Sequence, residues 1–111
     1  MLDLTKYKSC KGAATALAGW LNEQGWRAVA ISPKESVKRV AEGANGWHVL
    51  CEECPYEGLI ALSLGGSVYA GAYGYYDDNG NYKKPEVKMT NSDHWIAEPY
   101  YSWALGFYPD V

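Results

Sequence analysis

Ala13, Ala14, Leu17, Ala18 and Leu21 recur at i, i+4 and i+7 intervals and so form one apolar stripe at helical spacing. Ser9 stands where an N-cap belongs, and Gly25 stands where a left-handed residue ends a helix. The pattern therefore predicts a helix opening at Ser9 and closing before Gly25. Residues 26–31 are an apolar run rich in strand formers and predict one buried strand. Ser32-Pro33-Lys34-Glu35 combines an N-cap serine, a first-turn proline and a carboxylate at the third helical position, which is a capping box. The helix it starts is expected to bury Val37, Val40 and Ala41, to expose Lys34, Lys38 and Arg39, and to end at Gly43.

Beyond Gly46 the period changes to two. Residues 47–51 predict a strand with Trp47, Val49 and Cys51 on one face, followed by a connection over 54–58. A second strand is expected over 59–64, a Gly65-Gly66 turn, and a third strand over 67–76. On that third strand Tyr69, Tyr73 and Tyr75 share one face, and Val68, Ala70, Ala72, Gly74 and Tyr76 share the other. Residues 77–81 carry a strong Asn-Gly hairpin signal, and 82–89 would return as an edge strand because Pro85 cannot donate to a ladder. In the tail, a strand near 94–98, a turn of helix near 100–104 and a final extended stretch are expected. The whole chain, 1–111, reads as a single α+β domain. Its N-terminal helix–strand–helix unit would pack on a mostly antiparallel β-meander of about four to five strands.

Composition adds an unusual feature. Five Trp, ten Tyr and one Phe make 14% of the chain aromatic, and nearly all of these rings carry an N–H or O–H. They concentrate after residue 46. Charge divides the chain as well. Residues 1–45 hold seven basic and four acidic groups, a sum of +3, whereas residues 46–82 hold five acidic groups and no basic one, a sum of −5. The overall net charge of −3 argues against a general nucleic-acid binder, whose affinity comes from Lys and Arg on phosphates. No apolar stretch approaches the ~20 residues of a spanning helix, so no membrane partner is expected. The N-terminus lacks a signal-peptide pattern and the three cysteines are odd in number, which together point to the cytoplasm.

Three constellations could carry chemistry. Cys51-Glu52-Glu53-Cys54 has CxxC spacing with His48 three residues earlier, so His48, Cys51 and Cys54 could hold a zinc ion with Cys10 or His94 as the fourth ligand. A single CxxC is half of the usual zinc-ribbon signal, and a small buried thiol explains Cys51 as well. Two glutamates between the cysteines would raise the thiol pKa, which disfavours a redox pair. Cys10 falls in the first turn of the Ser9 helix, where the helix dipole and the neighbouring Lys8 and Lys11 favour a thiolate. A helix-borne Cys10 and a strand-borne His48 resemble the Cys–His order of papain-like and NlpC-like hydrolases. That resemblance implies Cys10 as nucleophile and His48 as base, with Asn81 or His94 to orient the imidazole. The bland alternative is a semi-buried structural cysteine.

The weight of the sequence lies elsewhere. No motif names a reaction, no cofactor is implied, and the aromatic, acidic half of the chain has the composition of an interaction surface. The expectation is a non-catalytic domain binding a protein with a basic surface through Glu52, Glu53, Tyr69, Tyr73, Tyr75, Asp77, Asp78 and Trp103, the last in an aromatic tail. In size, acidity and aromatic content the chain resembles small phage-encoded inhibitors of host machinery, anti-CRISPR proteins among them. That likeness implies inhibition of a host or phage-defence complex.

Overall fold

The first helix forms around its predicted cap. Ser9 is extended and its hydroxyl accepts from the Gly12 amide at 2.9 Å, opening α1 (Cys10–Glu23). The buried residues of α1 are Ala13, Ala14, Leu17, Ala18 and Leu21, the stripe expected from spacing. The computed structural model describes residues 2–53, 72, 74–76, 79–83, 87–88, 93–101 and 103–110; for Glu52, Glu53 and Tyr75 it describes the backbone.

Four antiparallel strands make the main sheet: β2 (Arg27–Ile31), β3 (Trp47–Glu53), β7 (Trp95–Tyr101) and β8 (Ala104–Pro109), in the order β2-β3-β8-β7. The fold is thus α+β with a largely antiparallel sheet. Two small pairs are the other strands among the described residues. The segment β1 (Leu2–Asp3) runs parallel to β6 (Val87–Lys88), and β4 (Tyr75–Tyr76) forms a hairpin with β5 (Tyr82–Lys83) across the predicted Asn79-Gly80 turn.

Strand alternation gives the sheet two unlike faces. On one face, Trp95, Val49, Cys51, Leu105 and Phe107 pack against α1 in the main core, with Leu4 and Trp26 closing its rim. On the other, Ile31, Leu50 and Ala104 form a smaller cluster with Val40 and Trp103. The short helix α2 (Pro33–Arg39) and the chain beyond it lie on this second side. Its predicted cap is present, with the Ser32 hydroxyl accepting from the Glu35 amide.

Several expectations are corrected here. In α2 the buried residue is Ser36, while Val37 is 38% exposed. Burial of Ser36 is tolerable because its hydroxyl donates to the Ser32 carbonyl at 2.9 Å. The strand expected over 67–76 is not continuous: Ala72 is helical and buried, and Gly74 has φ +94°. A Cβ at Gly74 would lie 2.7 Å from the Lys83 carbonyl oxygen, so the backbone turn and the approach of β5 both require glycine. Among the described residues of the tail there is no helical turn near 100–104; β7 and β8 pair there as a hairpin instead. The strand expected over 59–64 and the Gly65-Gly66 turn lie outside the described residues.

Strand β2 is an edge of the main sheet, and Asn22 guards it. The Asn22 amide donates to the Ala28 carbonyl at 3.0 Å, and its carbonyl oxygen accepts from the Ala28 N–H at 2.8 Å. One side chain thereby copies the pairing of a neighbouring strand. Asn22→Ala is expected to lower stability by about 1–2 kcal/mol, two exposed hydrogen bonds being lost. Asn22→Asp, which keeps the acceptor alone, should fall between; urea unfolding midpoints check the order.

Candidate interaction surface

The alternation that sends Trp47, Val49 and Cys51 towards α1 sends His48 to the opposite face. There the imidazole is fully buried, at 0% exposure. Its Nδ1 lies 2.9 Å from the Gly46 carbonyl oxygen, which can only accept, so the proton of the neutral ring resides on Nδ1. Nε2 is then the acceptor, and the Tyr108 hydroxyl donates to it at 3.3 Å. Burial pushes the His48 pKa below its ordinary value of 6.5, with the Gly46 bond offsetting part of that. The Tyr108 phenol is pushed up, by burial first and then by the charges of Glu98 and Tyr100, which suits its role as donor.

From His48 a row of rings runs to the edge of the sheet. The Tyr108 ring stands perpendicular to the imidazole at 5.7 Å, and the Tyr100 ring meets it edge-on at 6.2 Å. Tyr100 contacts Tyr101 at 5.1 Å, and Tyr101 stacks on Trp103 at 5.0 Å with 13° between the planes. Consecutive strand residues normally face opposite ways. Here the register shifts between Pro99 and Tyr101, and this bulge lets the two neighbouring tyrosines touch. The hairpin tip is fastened from beneath, since the Cys51 amide donates to the Trp103 carbonyl at 3.0 Å. Tyr100 and Tyr101 nonetheless remain 40% and 45% exposed.

The predicted site residues are distributed unevenly over this structure. Cys10 packs half-buried against the α1-side core beside Trp47, whereas His48 faces the other side of the sheet, so the Cys10–His48 pair is not brought together. Burial raises the Cys10 thiol pKa, against the expectation of a stabilised thiolate. Cys10 does border a cavity of 360 Å³ with Ser9, Lys11, Pro33, Trp47 and Phe107 among its walls. His48 and Cys51 are three residues apart on one strand and so point to opposite faces, which separates two members of the proposed zinc set. Cys54 lies outside the described residues, and among the described residues no three His, Cys, Asp or Glu side chains gather as metal ligands. Asn81 and His94 are exposed.

Of the expected interaction residues, Trp103 is half-buried in the ring row. Glu52 and Glu53 end β3 and Tyr75 begins β4. Tyr69, Tyr73, Asp77 and Asp78 lie outside the described residues. An exposed pair, Tyr76 and Tyr82 at 5.3 Å, marks the β4–β5 hairpin. Tyr100, Tyr101 and Tyr108 are plain in the sequence as aromatics of the tail, but of that tail only Trp103 was expected as a contact residue. The closely spaced Tyr100-Tyr101 and Trp103 rings beside Pro99 were the available signal of an edge bulge.

The chain is therefore defined as an α+β domain whose second sheet face carries an ordered aromatic row. No family model matches it, and neither a curated protein nor a solved structure matches it. Among the described residues no helix is long and apolar enough to cross a membrane.

Proposed function

We propose that this protein is a non-catalytic interaction domain that docks a protein partner through the aromatic row of the β7–β8 hairpin. The observation that carries the reading is the combination of order and exposure at Tyr100 and Tyr101. Both rings are held by ring contacts and by an anchored hairpin tip, yet each leaves two-fifths or more of its surface open. Rigid rings with hydroxyl tips offer large contact area and lose little conformational entropy on binding. The acidic excess of residues 46–82 supports a partner with a basic surface, steered by charge and held by the rings. The composition likeness to small phage-encoded inhibitors supports a host or phage-defence complex as that partner, blocked by occupation of one of its surfaces.

The test is affinity capture from host cells followed by measured binding of the captured protein. Tyr101→Ala with Trp103→Ala should weaken binding by about 30-fold or more, the effect of losing an interface hot spot. Glu52→Lys with Glu53→Lys should slow association, most clearly at low salt. Undiminished affinity in the aromatic pair, or failure to capture any specific partner, overturns the reading.

A further inference from the structure

We infer that His48 and Tyr108 form an acid-sensitive latch beneath the aromatic row, and that opening it releases the β7–β8 face while the α1-side core stays folded. Glycine backbone lies close against both rings. A Cβ at Gly106 would lie 2.7 Å from His48 Nε2, and one at Gly46 would lie 2.7 Å from the Tyr108 ring. The two rings thus fill a slot shaped by two glycines.

In the neutral state every polar atom of the slot is satisfied. Nδ1–H donates to the Gly46 carbonyl and Nε2 accepts from the Tyr108 hydroxyl. Adding a proton at Nε2 turns that atom into a donor facing a hydroxyl hydrogen. The Tyr108 hydroxyl must then rotate to accept, and a full positive charge sits in a site shut off from water. Charge is costly there unless it is paired.

Among the described residues the groups that face His48 are few, and the segment after α2 on this side brings the apolar Val40 to the cluster beside it. From β8 comes the neutral Tyr108 phenol, from β7 the neutral Tyr100 phenol, from β2 the apolar Ile31 opposite in register, and from the preceding turn the Gly46 carbonyl. The nearest carboxylate in register is Glu98. It follows His48 and Gly106 in one cross-strand line, is exposed, and its charge reaches the Tyr108 hydroxyl. Glu98 acts on the Tyr108 hydroxyl and closes no ion pair on the imidazole.

Opening is local because the two sheet faces are unequal. Beneath the latch, the second-face cluster has, among the described residues, three buried members, Ile31, Leu50 and Ala104, whereas the α1-side cluster has fourteen. Among the described residues strand β7 is an outer strand of the main sheet and is bulged at Tyr100, so its Tyr100–Tyr101 end can open at low free-energy cost while Trp95 holds the other end in the α1-side core. The sign follows from the direction of the His48 shift. An imidazole that titrates below its unfolded value gives stability fully present above pH 6.5, lost as pH falls through the folded value.

The experiment is acid titration of the protein alone, followed by near-UV circular dichroism for the ordered rings and far-UV circular dichroism for α1. The expected result is loss of the ring row's share of the near-UV signal below pH 6.5, at a pH where the helical signal and the share of the core tryptophans Trp26 and Trp95 persist. His48→Gln should remove the separate transition. Coincident loss of both signals in the wild-type protein, or an unchanged transition in His48→Gln, would overturn the latch. Its consequence for docking, weaker partner binding below the transition, rests on the proposed function. The spectroscopic result needs no partner, so the two can fail separately.

Discussion

Trp95→Ala should destabilise the protein by about 3–5 kcal/mol, the cost of deleting a fully buried large ring from a close-packed core. Trp95 is 0% exposed and meets the Phe107 ring edge-on at 5.2 Å. Its indole N–H donates to the Tyr7 carbonyl at 2.8 Å, tying the chain ahead of α1 to β7 across 88 positions. Alanine would leave a cavity and an unpaired carbonyl together, and the second loss adds to the first. Trp95→Phe separates them, because it keeps an aromatic ring and removes the donor. Urea unfolding should show a large fall in midpoint for alanine and a smaller one for phenylalanine. A loss below about 1 kcal/mol for Trp95→Ala would contradict the core assignment.

Gly106→Ala is the second large effect, at about 1–3 kcal/mol from overpacking. The added methyl would stand 2.7 Å from both His48 Nε2 and the Tyr108 ring, and 3.0 Å from His48 Cε1. Both neighbours are rings in a filled slot rather than ends of flexible chains, so the strain is not easily relieved. The distinguishing measurement is a double-mutant cycle with His48→Ala. Removing the imidazole should recover part of the loss, giving a coupling of about 0.5–3 kcal/mol. Strict additivity would mean that His48 does not occupy the space above Gly106.

The helices and β3 were legible because their signals are local. Ser9 and Ser32 announce their caps within three residues, and the α1 stripe repeats over three turns. The alternation at Trp47, Val49 and Cys51 was equally plain. It already implied that His48 and Cys51, at odd separation, point apart; the zinc reading counted spacing and neglected direction. Strand β8 was legible as a final extended stretch but not as a central strand, for a physical reason. Ala104, Leu105, Gly106 and Phe107 are all buried, because a central strand is covered on both faces and loses the period of two. Its partner β3 lies some sixty positions earlier, and no local pattern encodes such a pairing. The ring row depends on the Tyr100 bulge, which single-residue periodicity does not reveal.

The central position of β8 has a consequence for how the protein is made. As the chain emerges during synthesis, β2 and β3 can pair at once, but the other edge of β3 stays bare until β8 follows. At about 5–20 residues per second, that interval lasts several seconds, and an unpaired strand edge invites association with other chains. Closure of so distant a pair is also intrinsically slow, because the loop must be ordered before its contacts reward it. The hairpin that ends this vulnerable interval is the same one that carries the exposed rings, so the proposed docking surface comes into being in the step that seals the sheet.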